Sequence, residues 1–136
     1  MSADVAAQWN TFITMWNTQK PDLADDFAAP DLVYHVPPFP DTDLAGLKAM
    51  VAGASGLEGF HVASHEDIIS EEQSAHRWTV SGRWTKPTDL LPGEPTGRTA
   101  QAEGAHVCHW RDGRLVEAWH IGDWLGWYQT AGAQAT

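Results

Sequence analysis

The sequence predicts an α+β fold in which helices come first and a curved, mostly antiparallel sheet follows. Apolar residues near the start recur at helical spacing, whereas the second half alternates in strand-like runs separated by proline and glycine. The dipeptide Asp112-Gly113 between two such runs indicates a tight β-hairpin. With 136 residues, 43% of them hydrophobic, the chain fits one domain, which we expect to span residues 1–136.

The first half of the chain indicates three helices. The apolar face of the first is formed by Val5, Trp9, Phe12, Ile13 and Trp16. Pro21 suits the start of a second, short helix that runs to about residue 27, with Pro30 as its stop. A strand over 32–36 and a proline-rich loop should follow. The third helix then begins after a cap at Asp41, Thr42 or Asp43.

The second half indicates two long pairs of strands and a short closing helix. The strands are expected at 60–69, 76–84, 98–110 and 115–121, and the helix at 124–130. A long loop over 87–97 separates the two pairs. Helices across the concave face of such a cone-shaped sheet would enclose a cavity, whose walls would be alternate strand residues.

Composition limits the classes of function. The net charge of −10 opposes binding to nucleic acid or to anionic membranes, and a single cysteine, Cys108, suits a reducing cytoplasm. No secretory signal or membrane-spanning run is visible, so we expect a cytoplasmic protein. Phosphate-binding loops are absent, and the spacing of His61 and His65 does not match a metal site on a strand. We therefore expect neither a metal nor another cofactor.

Asp123 is the first candidate for chemistry. On an unbroken strand it would share a face with Trp119 and Ile121. A carboxylate in apolar surroundings is disfavoured in its charged form, which is how proteins make a general acid or base. However, Asp123 also directly precedes the closing helix, where aspartate is an ordinary N-cap. The two roles are compatible, and the sequence leaves both open.

Histidines supply the other candidates. His35 lies where a strand meets the proline loop, and it could either transfer protons or bond a loop carbonyl. His106 and His109 occupy opposite faces of one strand, and the small neighbours of His106 favour it as the one in the cavity. His120 would face away from Asp123 unless a bulge intervenes or it reaches the pocket from the strand end. A structural role is equally open for His120.

Several segments together resemble the SnoaL-like polyketide cyclases of the NTF2-like superfamily. They are Tyr34-His35-Val36-Pro37-Pro38, Trp78-Thr79-Val80-Ser81-Gly82, Pro95-Thr96-Gly97-Arg98 and residues 112–120, followed by Asp123 and Gly126. The resemblance covers nearly the whole chain. It departs from the family in the loop over 87–95, which is longer and carries an additional Asp-Leu-Leu.

The resemblance implies a cofactor-free intramolecular aldol cyclisation in an apolar pocket. It implies that Asp123 is the acid/base carboxylate and that His35 lines the pocket. A histidine on the penultimate strand, His106 or His109, would join them. Residues expected to contact a small, apolar, polyketide-like substrate are Trp9, Phe12, Trp16, Tyr34, Trp78, Trp119 and Trp124. Relatives with exposed sheet faces often pair, so we expect a homodimer or a higher homo-oligomer.

Three functions remain open at this point. The first is a cyclase or related acid–base enzyme, in which Asp123 and a histidine act on a ketone. The second is epoxide hydrolysis, dehydration or isomerisation on the same fold, although Arg77 and Arg83 lack the Asp two residues later that the epoxide hydrolases use. The third is a non-catalytic small-molecule binder or dimerisation module, for which a pocket without buried titratable groups would be evidence.

Overall fold

A computed structural model describes residues 2–133, with side chains from residue 4 onward. The helices are α1 (Ser2–Thr18), α2 (Ala24–Phe27), α3 (Leu44–Gly53) and α4 (Trp124–Ala131). The strands are β1 (Ala28–His35), β2 (Leu57–Ile69), β3 (Gln73–Trp84), β4 (Thr99–Arg111) and β5 (Arg114–Gly122). Short 3₁₀ turns precede α2 and β2. Residue 1 and residues 134–136 of the expected domain lie outside the described residues, so its boundaries stay a prediction.

The strands form one open, mixed sheet in the order β1-β5-β4-β3-β2. Three neighbouring pairs are antiparallel, and only the edge strand β1 runs parallel to its neighbour β5. The predicted α+β class and mostly antiparallel sheet are therefore confirmed. The hairpin turn is confirmed as well, because Asp112 and Gly113 have φ of 53° and 74°, the positive values that a type I′ turn requires.

Local sequence explains where the helices begin and end. Asp43 is the cap of α3, since its Oδ1 accepts a hydrogen bond from the Gly46 N–H at 3.0 Å.

The prediction that Pro30 stops the second helix is wrong. That helix ends at Phe27, and Pro30 lies inside β1, in the stretch between Ala28 and Val33 where the pairing with β5 is irregular. An edge strand tolerates a proline there because fewer ladder hydrogen bonds are lost.

One face of the sheet is covered by helices and carries the core. The rings of Trp9 and Phe12 on α1 lie 5.5 Å and 4.9 Å from the ring of His106 on β4. Helix α4 follows β5 directly, and Thr130 Oγ1 accepts a hydrogen bond from the Gln101 N–H on β4. The space between α1, α4 and the sheet holds the cavity described below. Within residues 2–133, no helix combines the length and the apolar character needed to span a membrane.

Candidate active site

An apolar cavity lies between the helices and the covered sheet face. It holds about 590 Å³ of empty space when its open mouth is included. Most of its wall is aromatic or aliphatic, and the polar side chains that reach it are His106, His120 and Asp123. The lining residues are Trp9, Phe12, Ile13, Trp16, Met50, Phe60, Val62, Trp78, Val80, Leu90, His106, His120, Gly122, Asp123, Trp124 and Trp127. Such a wall suits a flat, apolar ligand with few oxygens.

The long loop between β3 and β4 contributes to this wall. Its Leu90 is buried at the cavity, and the Leu90 carbonyl accepts a hydrogen bond from Trp127 Nε1 at 3.0 Å. Thr88 Oγ1 donates to the Gly53 carbonyl at 2.7 Å, which ties the same loop to the end of α3. Sequence reasoning identified the additional Asp-Leu-Leu but missed that one of its leucines lines the cavity.

His106 and His120 meet across the β4–β5 ladder. The two residues are direct partners in the register, and their ring centroids are 4.7 Å apart. Both face the cavity side of the sheet and are almost fully buried, with 2% and 8% of their surface exposed. His109 lies on the opposite face, as its parity with His106 requires. The two histidines are 14 positions apart in the sequence and meet because the β4–β5 hairpin places them opposite each other. The register of the two strands, and not a local sequence spacing, therefore brings them together.

A chain of hydrogen bonds runs through the two histidines in one direction. Trp78 Nε1–H, which is only a donor, donates to His106 Nδ1 at 2.8 Å. A neutral His106 must then carry its proton on Nε2, which donates to the Tyr34 hydroxyl oxygen at 2.7 Å. The Tyr34 O–H is left to donate to His120 Nδ1 at 3.1 Å. A neutral His120 therefore carries its own proton on Nε2.

Burial favours the neutral forms that this chain needs. It lowers the pKa of His120 to about 4 and, together with the charges of His120 and His76, the pKa of His106 well below its ordinary value. Burial likewise raises the pKa of the Tyr34 phenol, with a smaller contribution from Cys108, so the hydroxyl keeps its proton. His120 Nε2 has no protein hydrogen-bond partner among residues 4–133. At neutral pH it is thus a hydrogen-bond donor on the wall of the cavity.

Asp123 lies at the rim of the cavity, just beyond the end of β5. It is exposed, which corrects the expectation that apolar neighbours enclose it. Its Oδ1 accepts a hydrogen bond from the Gly126 N–H at 2.9 Å, so Asp123 is the N-cap of α4. Its Oδ2 has no hydrogen-bond partner within residues 4–133. One oxygen of the carboxylate therefore caps the helix, and the other has no partner in this part of the chain, on a residue that lines the rim of the cavity.

Trp119 and His35 are corrections to the predicted pocket. They stack on each other with ring centroids 4.8 Å apart, on the sheet face opposite the cavity. His35 Nδ1 lies 2.8 Å from Asp41 Oδ1, and His35 Nε2 lies 2.8 Å from Glu117 Oε2. The hydrogen bond to Glu117 is the main reason that the pKa of His35 is raised, and Asp41 adds to it. We call this group, with His109, the outer histidine cluster.

Tyr34 is also placed differently from its predicted role. It is fully buried behind the two histidines and holds them through hydrogen bonds, without lining the cavity. The other predicted contact residues, Trp9, Phe12, Trp16, Trp78 and Trp124, do line it. Sequence reasoning missed Met50, Phe60 and Leu90, whose apolar character alone did not distinguish them from other core residues.

A third buried histidine lies away from the cavity. His76 Nδ1 bonds Asp67 Oδ1 at 2.8 Å, and His76 Nε2 bonds Ser74 Oγ at 2.7 Å. The order resembles that of a serine-hydrolase triad. However, Ser74 Oγ also accepts from Trp110 Nε1 at 2.9 Å, and both Ser74 and His76 are buried without lining the cavity. This network packs under Trp9, whose ring stacks on His76 at 3.6 Å.

Metal binding has no candidate cluster in the part of the chain that the structure describes. No three side chains of His, Cys, Asp or Glu come together there in a way that could hold an ion. Within the outer histidine cluster, His35 contacts two carboxylates, but both of its ring nitrogens are occupied by those hydrogen bonds. The predicted absence of a metal stays a prediction.

Solved structures with the same fold are numerous. TsrD from Streptomyces laurentii superposes with a TM-score of 0.83 at 24% identity, covering 98% of each chain. A protein from Jannaschia sp. CCS1, described provisionally as a SnoaL-like polyketide cyclase, gives 0.83 at 12% identity, covering 98% of this chain and 95% of that one. AclR from Streptomyces galilaeus, described provisionally as a hydroxylase, gives 0.77 at 18% identity, covering 90% and 77%. At these identities the likeness shows the fold alone.

Sequence comparison identifies the family. No curated protein sequence matches the chain. The family model of the SnoaL-like polyketide cyclases, however, matches residues 6–130, a range that begins in α1 and ends in α4. The match therefore contains every strand of the sheet and every residue that lines the cavity, and the chain belongs to the SnoaL-like polyketide cyclase family.

Proposed function

We propose that the protein is a cofactor-free acid–base enzyme that acts on a small, apolar, polyketide-like ketone, as an intramolecular aldol cyclase. The observation that carries this proposal is the composition of the cavity. The apolar wall carries two complementary polar groups, the exposed carboxylate of Asp123 at its rim and the buried, neutral His120 with its proton on Nε2. A base and a hydrogen-bond donor at one apolar site are what enolate chemistry needs.

The reaction can be written with these groups alone. Asp123 removes a proton from the carbon next to a carbonyl, and the electron pair moves to the carbonyl oxygen. His120 Nε2–H donates a hydrogen bond to that oxygen as its negative charge develops. The enolate carbon then forms a bond with a second carbonyl of the same molecule, whose oxygen takes the proton back from Asp123. The product is an isomer of the substrate, so no oxidant, reductant or leaving group is needed.

Two alternatives have less support. A pure binding module was expected to have a pocket without buried titratable groups, whereas His106 and His120 are both buried at this cavity. Epoxide hydrolysis by the Asp-Arg-Asp arrangement needs an arginine in the pocket. Arg77 instead lies on the exposed side of β3 beside Glu66, and no arginine is among the lining residues. Dehydration and isomerisation use the same base and donor and stay open as variants of the proposal.

The test separates the two roles of Asp123. Asparagine caps helices as well as aspartate does but is not a base, so Asp123→Asn should keep α4 and lose proton abstraction. The probes are aromatic diketones of two to four rings that carry a β-keto ester side chain. Exchange of their acidic C–H for deuterium from D₂O, followed by mass spectrometry, reports proton abstraction even if the ring does not close. We expect the variant to lose about 10²- to 10⁴-fold in enzyme-catalysed exchange.

Asp43→Asn is the matched control. Asp43 caps α3 through the N–H of the residue three positions on, as Asp123 caps α4, but it does not line the cavity. This variant should exchange deuterium at the wild-type rate. Wild-type exchange in Asp123→Asn would refute the proposal, as would a wild-type protein that gives no exchange with any probe.

A further inference from the structure

The cavity wall has a narrow gap, no larger than one methyl group, beside Gly122. A Cβ atom added at this residue would lie 3.3 Å from His120 Nε2 and 3.7 Å from Trp124 Nε1. Both ring nitrogens therefore border the same small volume, which exists because residue 122 has no side chain. All three residues line the cavity, so this volume belongs to the space that a ligand enters.

Both ring nitrogens that border this space are hydrogen-bond donors. An indole N–H is only ever a donor. His120 Nε2 carries a proton because the chain from Trp78 through His106 and Tyr34 assigns the acceptor role to His120 Nδ1. The space beside Gly122 is thus bordered by two donors, and neither of them has a protein acceptor among residues 4–133.

An unpartnered buried N–H is costly, which makes Trp124 informative. Its Nε1 is buried and makes no hydrogen bond in the described part of the chain, and the same is true of Trp84 Nε1. Leaving a buried donor unpaired costs about 1–3 kcal/mol in proteins, so such a group needs an explanation. Trp84 lies outside the cavity, but Trp124 lines it beside His120, with ring centroids 5.8 Å apart. Trp124 Nε1 therefore borders the cavity that a ligand would enter, whereas Trp84 does not line it.

We propose that His120 Nε2–H and Trp124 Nε1–H together bind one carbonyl or enolate oxygen of the ligand in the space that Gly122 leaves open. The inference deepens the proposed function and rests on it for the class of ligand. Trp124 then has a specific role beyond apolar contact, and Gly122 becomes a determinant of what binds. The site accepts oxygen acceptors, since a ligand amine or other pure donor would meet two N–H groups.

The test measures binding without turnover. 2-Naphthol carries one oxygen on a flat apolar frame, its anion resembles an enolate, and naphthalene is the same frame without the oxygen. Calorimetry at a pH where 2-naphthol is partly ionised should give tighter binding of 2-naphthol than of naphthalene by tenfold or more. One hydrogen bond to a charged group contributes about 1.5–3 kcal/mol, and 1.4 kcal/mol is tenfold in affinity.

Two variants and one control assign the effect to this site. Trp124→Phe removes one donor, and Gly122→Ala fills the space with little strain, because 3.3 Å is tight but not a collision. Each should reduce the preference for 2-naphthol over naphthalene by about tenfold. Trp84→Phe removes the other unpartnered indole N–H and should keep the wild-type preference. In ¹⁵N-labelled protein, the indole signal that disappears in Trp124→Phe should shift when 2-naphthol binds and stay in place with naphthalene.

Other results would overturn the inference. It fails if the wild type binds both ligands equally or binds neither, or if both variants keep the wild-type preference. The proposed function fails differently, through deuterium exchange that is unchanged in Asp123→Asn.

Discussion

Replacing Tyr34 by phenylalanine tests the hydrogen-bond chain on which the site depends. The hydroxyl accepts from His106 Nε2–H at 2.7 Å and donates to His120 Nδ1 at 3.1 Å, and all three side chains are buried. Phenylalanine keeps the ring and leaves one donor and one acceptor unpaired. Each unpaired buried group costs about 1–3 kcal/mol, so Tyr34→Phe, which leaves two of them, should lower the free energy of unfolding by about 2–6 kcal/mol.

Urea unfolding measures this cost. The midpoint should fall while the slope m stays that of the wild type, which shows that the change is in stability and not in compactness. Tyr128→Phe is the matched control, because the chain has two tyrosines and the Tyr128 hydroxyl makes no hydrogen bond among residues 4–133. Its effect should stay within about 0.5 kcal/mol, as for most substitutions away from a buried network.

The same variant also tests the assigned tautomer. Without the Tyr34 hydroxyl, nothing holds His120 Nδ1 as an acceptor, so the proton should distribute between both ring nitrogens. ¹⁵N spectra of histidine-labelled protein distinguish protonated from unprotonated ring nitrogens, and in the wild type they should show His120 protonated on Nε2 alone. A stability loss of less than about 0.5 kcal/mol, or wild-type spectra that place the proton on Nδ1, would refute the direction of the chain.

Two further predictions concern pH. His120 titrates near 6.5 in an unfolded chain but at about 4 in the folded protein, so the unfolded state binds the proton first and stability should fall as pH drops from 6.5 to 4. The two pKa values correspond to about 3 kcal/mol from this residue, measurable by urea unfolding at a series of pH values, and a flat profile over that range would contradict it. His35 has a raised pKa in the folded protein, so its contribution to stability is present below pH 6.5 and is lost as the pH rises through that raised pKa. Titration followed by ¹H–¹⁵N spectra should show that Glu117→Gln lowers the pKa of His35 more than Asp41→Asn does.

Element types were predictable because each left a local signal. The apolar spacing of α1, the Asp-Gly turn before β5 and the alternation of the long strands all appear in the structure where the sequence indicates them. The edges moved by a few residues, since hydrogen bonds with a neighbouring strand extend a strand past its apolar core. Pro30 is the exception, because tolerance of proline depends on β1 being an edge strand, and the sequence does not reveal strand order.

The faces of β5 were harder to predict. The alternation of side chains correctly places His120 on one face of β5 and Trp119 and Ile121 on the other. The prediction, however, turned the face with Trp119 and Ile121 toward the cavity. The structure gives that side to Ala118, His120 and Gly122. At Gly122 the absence of a side chain leaves room for His120 and Trp124, whose ring nitrogens would lie 3.3 Å and 3.7 Å from an added Cβ. Which face the helices cover is a tertiary property that strand periodicity does not contain.

The end of β5 shows a different limit. The alternation of side chains along a strand predicted that Asp123 shares a face with Trp119. The strand, however, ends at Gly122, and α4 begins at Trp124. Residue 123 therefore belongs to a cap, whose direction follows from the helix and not from the strand. The sequence indicated both the cap and the site, and the structure allows both because the carboxylate has two oxygens.

The two buried histidine networks differ in a way that bears on function. In the network of His76, both ring nitrogens have side-chain partners, Asp67 and Ser74, and the network lies outside the cavity. In the chain of hydrogen bonds that starts at Trp78, every polar group has a partner as far as His120 Nδ1. His120 Nε2, however, has no partner in the described residues and lies on the cavity wall. Burying polar groups costs free energy unless each is paired, so packing alone favours a closed network such as that of His76. An open end at an apolar cavity is unfavourable for folding and is useful only when a ligand supplies the missing acceptor.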